Sequence, residues 1–126
     1  MDAPPYTVNK ILEVLKSAPY YAQRGVVVGS SALVLHGIIE AAPDLDLAIP
    51  KHVMDYHADE PSPPARYLTS HRCGIDFVAL DDVVWETVYG VRVATLPTLL
   101  ALYETLHRNK DKKHIELISK TLMSTY

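Results

Sequence analysis

Asp44 and Asp46 stand two apart in the run Asp44-Leu45-Asp46-Leu47-Ala48-Ile49, between Pro43 and Pro50. On a β-strand, residues two apart share a face, so the alternation predicts two carboxylates side by side with Leu45 and Leu47 turned into the core. Adjacent like charges cost stability unless a cation or a basic group compensates them. Magnesium suits such a pair, because it prefers carboxylate oxygens and completes its octahedron with water and phosphate. Upstream, with 13 residues intervening before Asp44, Gly29-Ser30 closes a β-branched run, Val26-Val27-Val28. A glycine there lets the backbone turn tightly and approach a ligand, and a following helix start offers free N–H groups and a hydroxyl to an anion. Asp76, in Ile75-Asp76-Phe77-Val78, supplies a third acid on a second strand expected beside the first. Three acids can hold two divalent ions about 4 Å apart, an arrangement suited to in-line phosphoryl transfer, and the third can also act as base toward an attacking hydroxyl.

Each part has a plainer explanation taken alone. Gly-Ser after a strand is common, Asp-x-Asp on a strand also marks an ordinary surface, and one exposed carboxylate needs no explanation. What is specific is the order: strand, Gly-Ser, short helix, then an Asp-hydrophobic-Asp-hydrophobic strand.

The elements needed to position these residues follow from local pattern. Residues 7–17 place Val8, Ile11, Leu12 and Leu15 at helical spacing, with Thr7 as N-cap and Ala18-Pro19 as the stop. Residues 25–29 form a buried strand, and Ser30 or Ser31 caps a helix through about Leu35 that Gly37 ends. After the 44–49 strand, residues 56–64 carry three prolines and read as a loop. Residues 66–70 and 75–80 form a strand pair around His71-Arg72-Cys73-Gly74. Residues 83–88 read as a short helix or turn, and 91–94 as a last strand. A helix opened by Pro97 runs through about His107, with Thr95 near its cap, and another covers 111–122. The sum is one α+β domain over residues 1–126: a small mixed sheet, covered by helices on one side, with C-terminal helices.

Residues 26–49 (VVVGSSALVLHGIIEAAPDLDLAI) resemble the DNA polymerase β-type nucleotidyltransferase superfamily, and are most similar to its small bacterial and phage-borne members of the AbiEii-toxin and MNT type. In those families a hydrophobic strand, a Gly-Gly or Gly-Ser, an Ala-Leu-x-x-x-Gly helix and an Asp-x-Asp-Leu strand follow in this order. Residues 96–118 (LPTLLALYETLHRNKDKKHIELI) are also similar to their C-terminal helices, whose Arg-x-Lys-Asp element stands here as Arg108-Asn109-Lys110-Asp111. The resemblance implies a nucleotidyltransferase fold and metal-dependent transfer of a nucleoside monophosphate from an NTP to a hydroxyl on a protein, RNA or small molecule. By position Gly29, Ser30 and Lys110 would hold the triphosphate. Asp44, Asp46 and Asp76 would hold magnesium or manganese, with Asp76 serving the acceptor. Toxin-like members usually travel with a protein partner. Two departures stand out: residues 38–43 lack the arginine and hydroxyl residue often found before the first Asp, and Tyr103 stands where a lysine is common. They motivate a second expectation, a degenerate site on a protein-interaction or regulatory module.

Composition narrows the classes. The 126 residues are 48% hydrophobic, enough for one core. A net charge of −3 gives no support for broad duplex nucleic-acid binding, and the basic cluster at 107–114 reads by itself as a solvated helix junction. No apolar run approaches the roughly 20 residues of a membrane span, and the N-terminus lacks a secretory pattern, so the expected place is the cytoplasm. Cys73, the single cysteine, excludes an internal disulfide and reads as an ordinary turn residue. Among the six histidines, His36 reads as a helix-end residue bonded to backbone, and no spacing suits zinc. Trp85 and Tyr89, four apart, are expected to pack in the core or against a helix.

Overall fold

The computed structural model describes residues 5–54, 69–106 and 108–124. The predicted loop at 56–64 lies outside them, as do residues 66–68 and His107. In chain order the elements are α1 (Val8–Ser17), α2 (Pro19–Arg24), β1 (Val26–Val28), α3 (Gly29–Leu35), β2 (Asp46–Ile49), α4 (Lys51–Met54), β3 (Thr69–Arg72), β4 (Ile75–Ala79), β5 (Trp85–Val88), β6 (Val91–Ala94), α5 (Leu96–Leu106) and α6 (Lys112–Ser124), with a 3-10 turn at Asn109–Asp111 before α6. This is an α+β domain with a six-stranded sheet in the order β3-β4-β2-β1-β6-β5. The sheet is mixed: β1–β2, β3–β4 and β5–β6 pair antiparallel, and β1–β6 and β2–β4 pair parallel.

The expected α1 is present, and Thr7 caps it by accepting from the Lys10 N–H at 3.3 Å. Ala18-Pro19 ends α1 but also opens α2, which the sequence reading omitted, because proline is well placed at the first turn of a helix. Tyr21 on α2 lays its ring against Phe77 of β4, with centroids 4.6 Å apart, while Tyr20 stays exposed. Five consecutive residues of α3, Ser31 to Leu35, are buried, so this helix is covered all round rather than amphipathic.

Cover on the middle of the sheet is also two-sided. Successive strand residues face opposite ways, yet Val26, Val27 and Val28 are all buried, as are Leu47, Ala48 and Ile49. The expectation of helices on one face alone is therefore corrected. The outer β4 keeps the alternation, with Ile75, Phe77 and Ala79 buried and Asp76 and Val78 half-buried.

The two sheet edges are built alike. A two-residue turn, Cys73-Gly74, closes β3 on β4, and Tyr89-Gly90 closes β5 on β6; all four residues have positive φ, between 53° and 79°. That is the turn whose twist matches paired strands, and it normally favours Asn-Gly or Gly-Gly. The turn at 73–74 sits inside the expected hairpin, with free and exposed Cys73 at its tip. Residues 85–88 form an edge strand instead of a helix or turn, and Trp85 and Tyr89 are exposed rather than packed.

At the N-terminal end, Tyr6 and Ala42 exchange two backbone hydrogen bonds of 3.1 and 2.9 Å. The Tyr6 hydroxyl also donates to the Gly74 carbonyl at 2.7 Å. The 38–43 segment is thereby pinned to the start of the chain and to the β3–β4 turn. The Thr95 carbonyl accepts from Leu99 N–H at 2.9 Å and starts α5 as expected. No helix among the described residues is long and apolar enough to cross a membrane.

Candidate active site

The site is assembled where β1 ends and β2 begins. Asp46 is the register partner of Val28 on β1 and of Asp76 on β4. Directly paired strand residues share a face, so Asp46 and Asp76 point the same way from neighbouring strands. Leu45 anchors that register, since its carbonyl accepts from the Asp76 N–H at 2.8 Å while its side chain is fully buried. Asp44 falls outside β2 and is exposed, because the ladder starts only at Asp46. The expected Asp44–Asp46 strand face is corrected on that point: the adjacent pair is Asp46 and Asp76, across strands, and Asp44 stands at the rim.

Gly29 follows Val28 with φ +66°. A Cβ there would lie 2.6 Å from Asp46 Oδ2, so the glycine is needed both for its backbone conformation and for the room it leaves the carboxylate. The neighbouring hydroxyl that serves the site's framework is Ser31, not Ser30. Ser31 Oγ is buried, donates to the Val28 carbonyl at 2.8 Å and accepts from the Asp46 N–H at 3.1 Å. It thus bolts the end of β1 to the start of β2. Ser30 is half-buried beside it. Since α3 has only seven residues, its dipole is a small part of any attraction for anions.

Electrostatics single out Asp46. Its carboxyl is pushed up to about 7, first by burial, then by the charges of Asp76 and Asp44, while Arg108 and Lys110 pull the other way. Four charged residues singled out from the sequence, Asp44, Asp76, Arg108 and Lys110, thus act on the Asp46 carboxyl. Lys110 is exposed. Arg108 is already engaged: its Nε donates to Asp111 Oδ2 at 2.6 Å and its NH2 group to Oδ1 at 3.2 Å. Asp111 is only 3% exposed, so this is a fork-to-fork pair on a buried carboxylate.

The tail also contributes Tyr103, which the sequence marks as standing in place of a lysine, and His114, which the sequence did not flag for this surrounding. Tyr103, on α5, is buried, and its ring sits 5.6 Å from that of His114 on α6. Among the described residues, the Tyr103 hydroxyl and His114 Nδ1 are both buried without a hydrogen-bond partner. Burial holds Tyr103 well above the usual phenol range, reinforced by the Asp111 and Asp46 charges. Burial, with Lys113, holds His114 below the ordinary histidine range, against the pull of Asp111. His36, by contrast, uses its Nε2 on the Ala94 carbonyl at 2.8 Å, as expected of a helix-end histidine.

The metal expected at the acids can be tested against this surrounding. A half-buried Asp46 beside Asp76 is costly to ionise, and a divalent cation would remove that cost, so the pair fits one. Among the described residues, however, no group of three His, Cys, Asp or Glu side chains is gathered in a metal-holding cluster. A separate cavity of about 510 Å³ opens at the other ends of β1 and β2, walled by Val26, Ala48, Leu80, Asp81, Asp82 and Trp85. It is distinct from the acids. No protein family, curated protein or solved structure matches this chain on comparison.

Proposed function

We propose that the chain is a metal-dependent nucleotidyltransferase, which moves a nucleoside monophosphate from an NTP to a hydroxyl acceptor. One observation carries the proposal: the Asp46–Asp76 register sets two carboxylates side by side against Gly29, with Arg108 and Lys110 within electrostatic reach. Such a cradle is costly for a protein to maintain unless cations enter it. Asp46 and Asp76 would hold magnesium or manganese, with Asp44 at the rim, and the ion would offset charge developing on the phosphoryl oxygens.

The chain's own groups have separable roles. Gly29, lacking a side chain, lets the triphosphate approach the backbone beside Asp46, and Ser30 adds a hydroxyl. Lys110 offsets phosphate charge from the solvent side. Asp76 takes the proton of the acceptor hydroxyl as its oxygen attacks the α-phosphorus; the α–β bridging bond breaks and pyrophosphate leaves. The acceptor is any hydroxyl that reaches Asp76.

Two observations favour a second reading, a module that keeps the fold without the reaction: the missing third metal ligand among the described residues, and the engagement of Arg108 by Asp111. Calorimetric titration of the four NTPs with magnesium or manganese separates them. The transferase reading expects metal-dependent binding that Asp46→Asn reduces at least tenfold. If the folded wild type binds none of the four, the module reading takes its place and the search moves to a protein partner.

A further inference from the structure

The cavity at the far ends of β1 and β2 holds none of the three acids, yet it shares a face of the sheet with Asp46 and Asp76. Paired strand residues lie on one face, and Val28–Asp46–Asp76 and Val26–Ala48–Val78 are successive rows two residues apart. Val26 and Ala48 line the cavity, and so does Leu80, two residues beyond Val78. Trp85 joins them from β5. It pairs with Ala94, whose neighbour Val93 pairs with Val27 on the opposite face. At about 3.3 Å per residue, the cavity floor begins about 7 Å from Asp46 along β2 and ends about 13 Å from Asp76 along β4. Its remaining wall is the connection from β4 to β5, two strands separated in the sheet by β2, β1 and β6. That connection brings Asp81, Asp82 and Trp85 to the cavity.

The chemistry of this cavity is one-sided. Its floor is aliphatic, its volume of about 510 Å³ is that of a small-molecule site, and its polar wall carries two carboxylates. No lysine or arginine is among the residues that line it. Asp81 accepts from the Lys51 backbone N–H at 3.1 Å, but among the described residues neither Asp81 nor Asp82 is ion-paired with a lysine or arginine. Arg92 instead lies over the Trp85 ring, its guanidinium carbon 4.7 Å from the centroid, and steadies the indole. We propose that the cavity is the acceptor subsite, and that the acceptor carries an ammonium or guanidinium group about 7–13 Å from its reactive hydroxyl. This rests on the transferase reading of Asp46 and Asp76. Asp81 and Asp82 offset the charge of the cation, Trp85 and the aliphatic floor cover the body of the molecule, and the shared face runs back to Asp76. There the acceptor oxygen bonds to the α-phosphorus, the α–β bridging bond breaks, pyrophosphate leaves and the hydroxyl proton passes to Asp76. A nucleobase would fit the volume but brings no charge to offset two carboxylates.

Trp85 is the single tryptophan of the chain, so its fluorescence reports on the cavity without metal, nucleotide or activity. The probes are linear ω-amino alcohols whose chains span the stated range, with diols of equal length as uncharged counterparts. The full chain should give a saturable Trp85 response to an amino alcohol, with the matching diol bound about fivefold more weakly or worse. Asp82→Asn removes one carboxylate and keeps a residue that tolerates the φ of +58° at this position. It should weaken the amine about threefold or more and leave the melting temperature unchanged. With magnesium and NTP present, mass spectrometry should then find the nucleoside monophosphate on the alcohol oxygen. No saturable amine response, equal binding of the diol, or an amine response that Asp82→Asn leaves unchanged each overturns the cation subsite, and the transferase reading keeps its own calorimetric test. A Trp85 response to NTP alone does the same and gives the cavity to the nucleobase. Binding of both amine and NTP without transfer to any of the alcohols overturns the acceptor role. Amine binding by a folded wild type that binds no NTP overturns the transferase reading and the acceptor role with it.

Discussion

Asp46 is central to the proposed chemistry, and its proton makes a measurable claim. In the unfolded chain it ionises near 3.8, and in the fold near 7. Between those values the native state holds a proton that the unfolded state has lost, so this contribution to stability is full below about pH 4 and declines as pH rises toward 7. Asn at position 46 cannot ionise. The stability of Asp46→Asn relative to wild type, measured by urea unfolding without divalent ions, should therefore rise from near zero at pH 4 to on the order of 2–4 kcal/mol at pH 8. Magnesium should close the gap by stabilising the wild type alone. A gap that stays flat with pH would mean that Asp46 ionises freely and that its neighbours impose no demand for a cation. That Asp46 and Asp76 stand on neighbouring strands was legible, because each lies in a short alternating run, although the alternation also put Asp44 on the Asp46 face. Ser31 was not separable from Ser30, since which of two adjacent serines turns inward depends on the positive φ of Gly29. Nor did Arg108-Asn109-Lys110-Asp111 reveal its structure: a polar run at a helix junction looks solvated, and only the packing of α5 on α6 buries Asp111.

Among the elements, the junction from β1 into α3 does the positioning. Replacing Gly29 by Ala adds a Cβ within 2.6 Å of Asp46 Oδ2 and leaves an L-residue at φ +66°. The backbone penalty alone is about 1 kcal/mol, and the carboxylate must also rotate out of its place beside Asp76. Gly29→Ala should thus lower stability by about 1–2 kcal/mol while reducing metal-dependent NTP binding far more than that loss implies. Thermal unfolding and calorimetry on the same sample compare the two effects, and parallel losses would make the glycine merely structural. The same scale shows where pattern failed. Residues 85–88 pair as β5 because Tyr89 and Gly90 make a tight turn, and a tyrosine at positive φ carries no sequence warning. Strand β2 begins at Asp46 rather than Asp44, a two-residue error typical of reading boundaries from alternation.

At the scale of the molecule, the sheet divides into a half that carries the acids, β3-β4-β2-β1, and a hairpin, β5–β6, that completes it. The join is the parallel pairing of β1 with β6, Val27 against Val93. Hairpins with two-residue turns close in about 1–10 μs, whereas a parallel pair must first close the long chain between its strands. Docking of β6 on β1, which closes the longer of the two parallel connections, is therefore expected to be the slow step of folding. Val93→Ala, which thins that join, should slow refolding more than it speeds unfolding, with a φ-value above about 0.5 by stopped-flow kinetics. A value near zero would place the docking after the barrier.

The same join sets a hazard during synthesis. Residues 26–28 leave the ribosome well before residues 91–94, which must eventually cover them. Until then a nascent chain presents three valines along an open strand edge, the kind of surface that recruits a neighbouring chain. Slow translation across residues 55–90 would prolong that exposure, and crowded polysomes would aggravate it. Yield of correctly folded protein should accordingly depend on how quickly the codons for residues 55–94 are read.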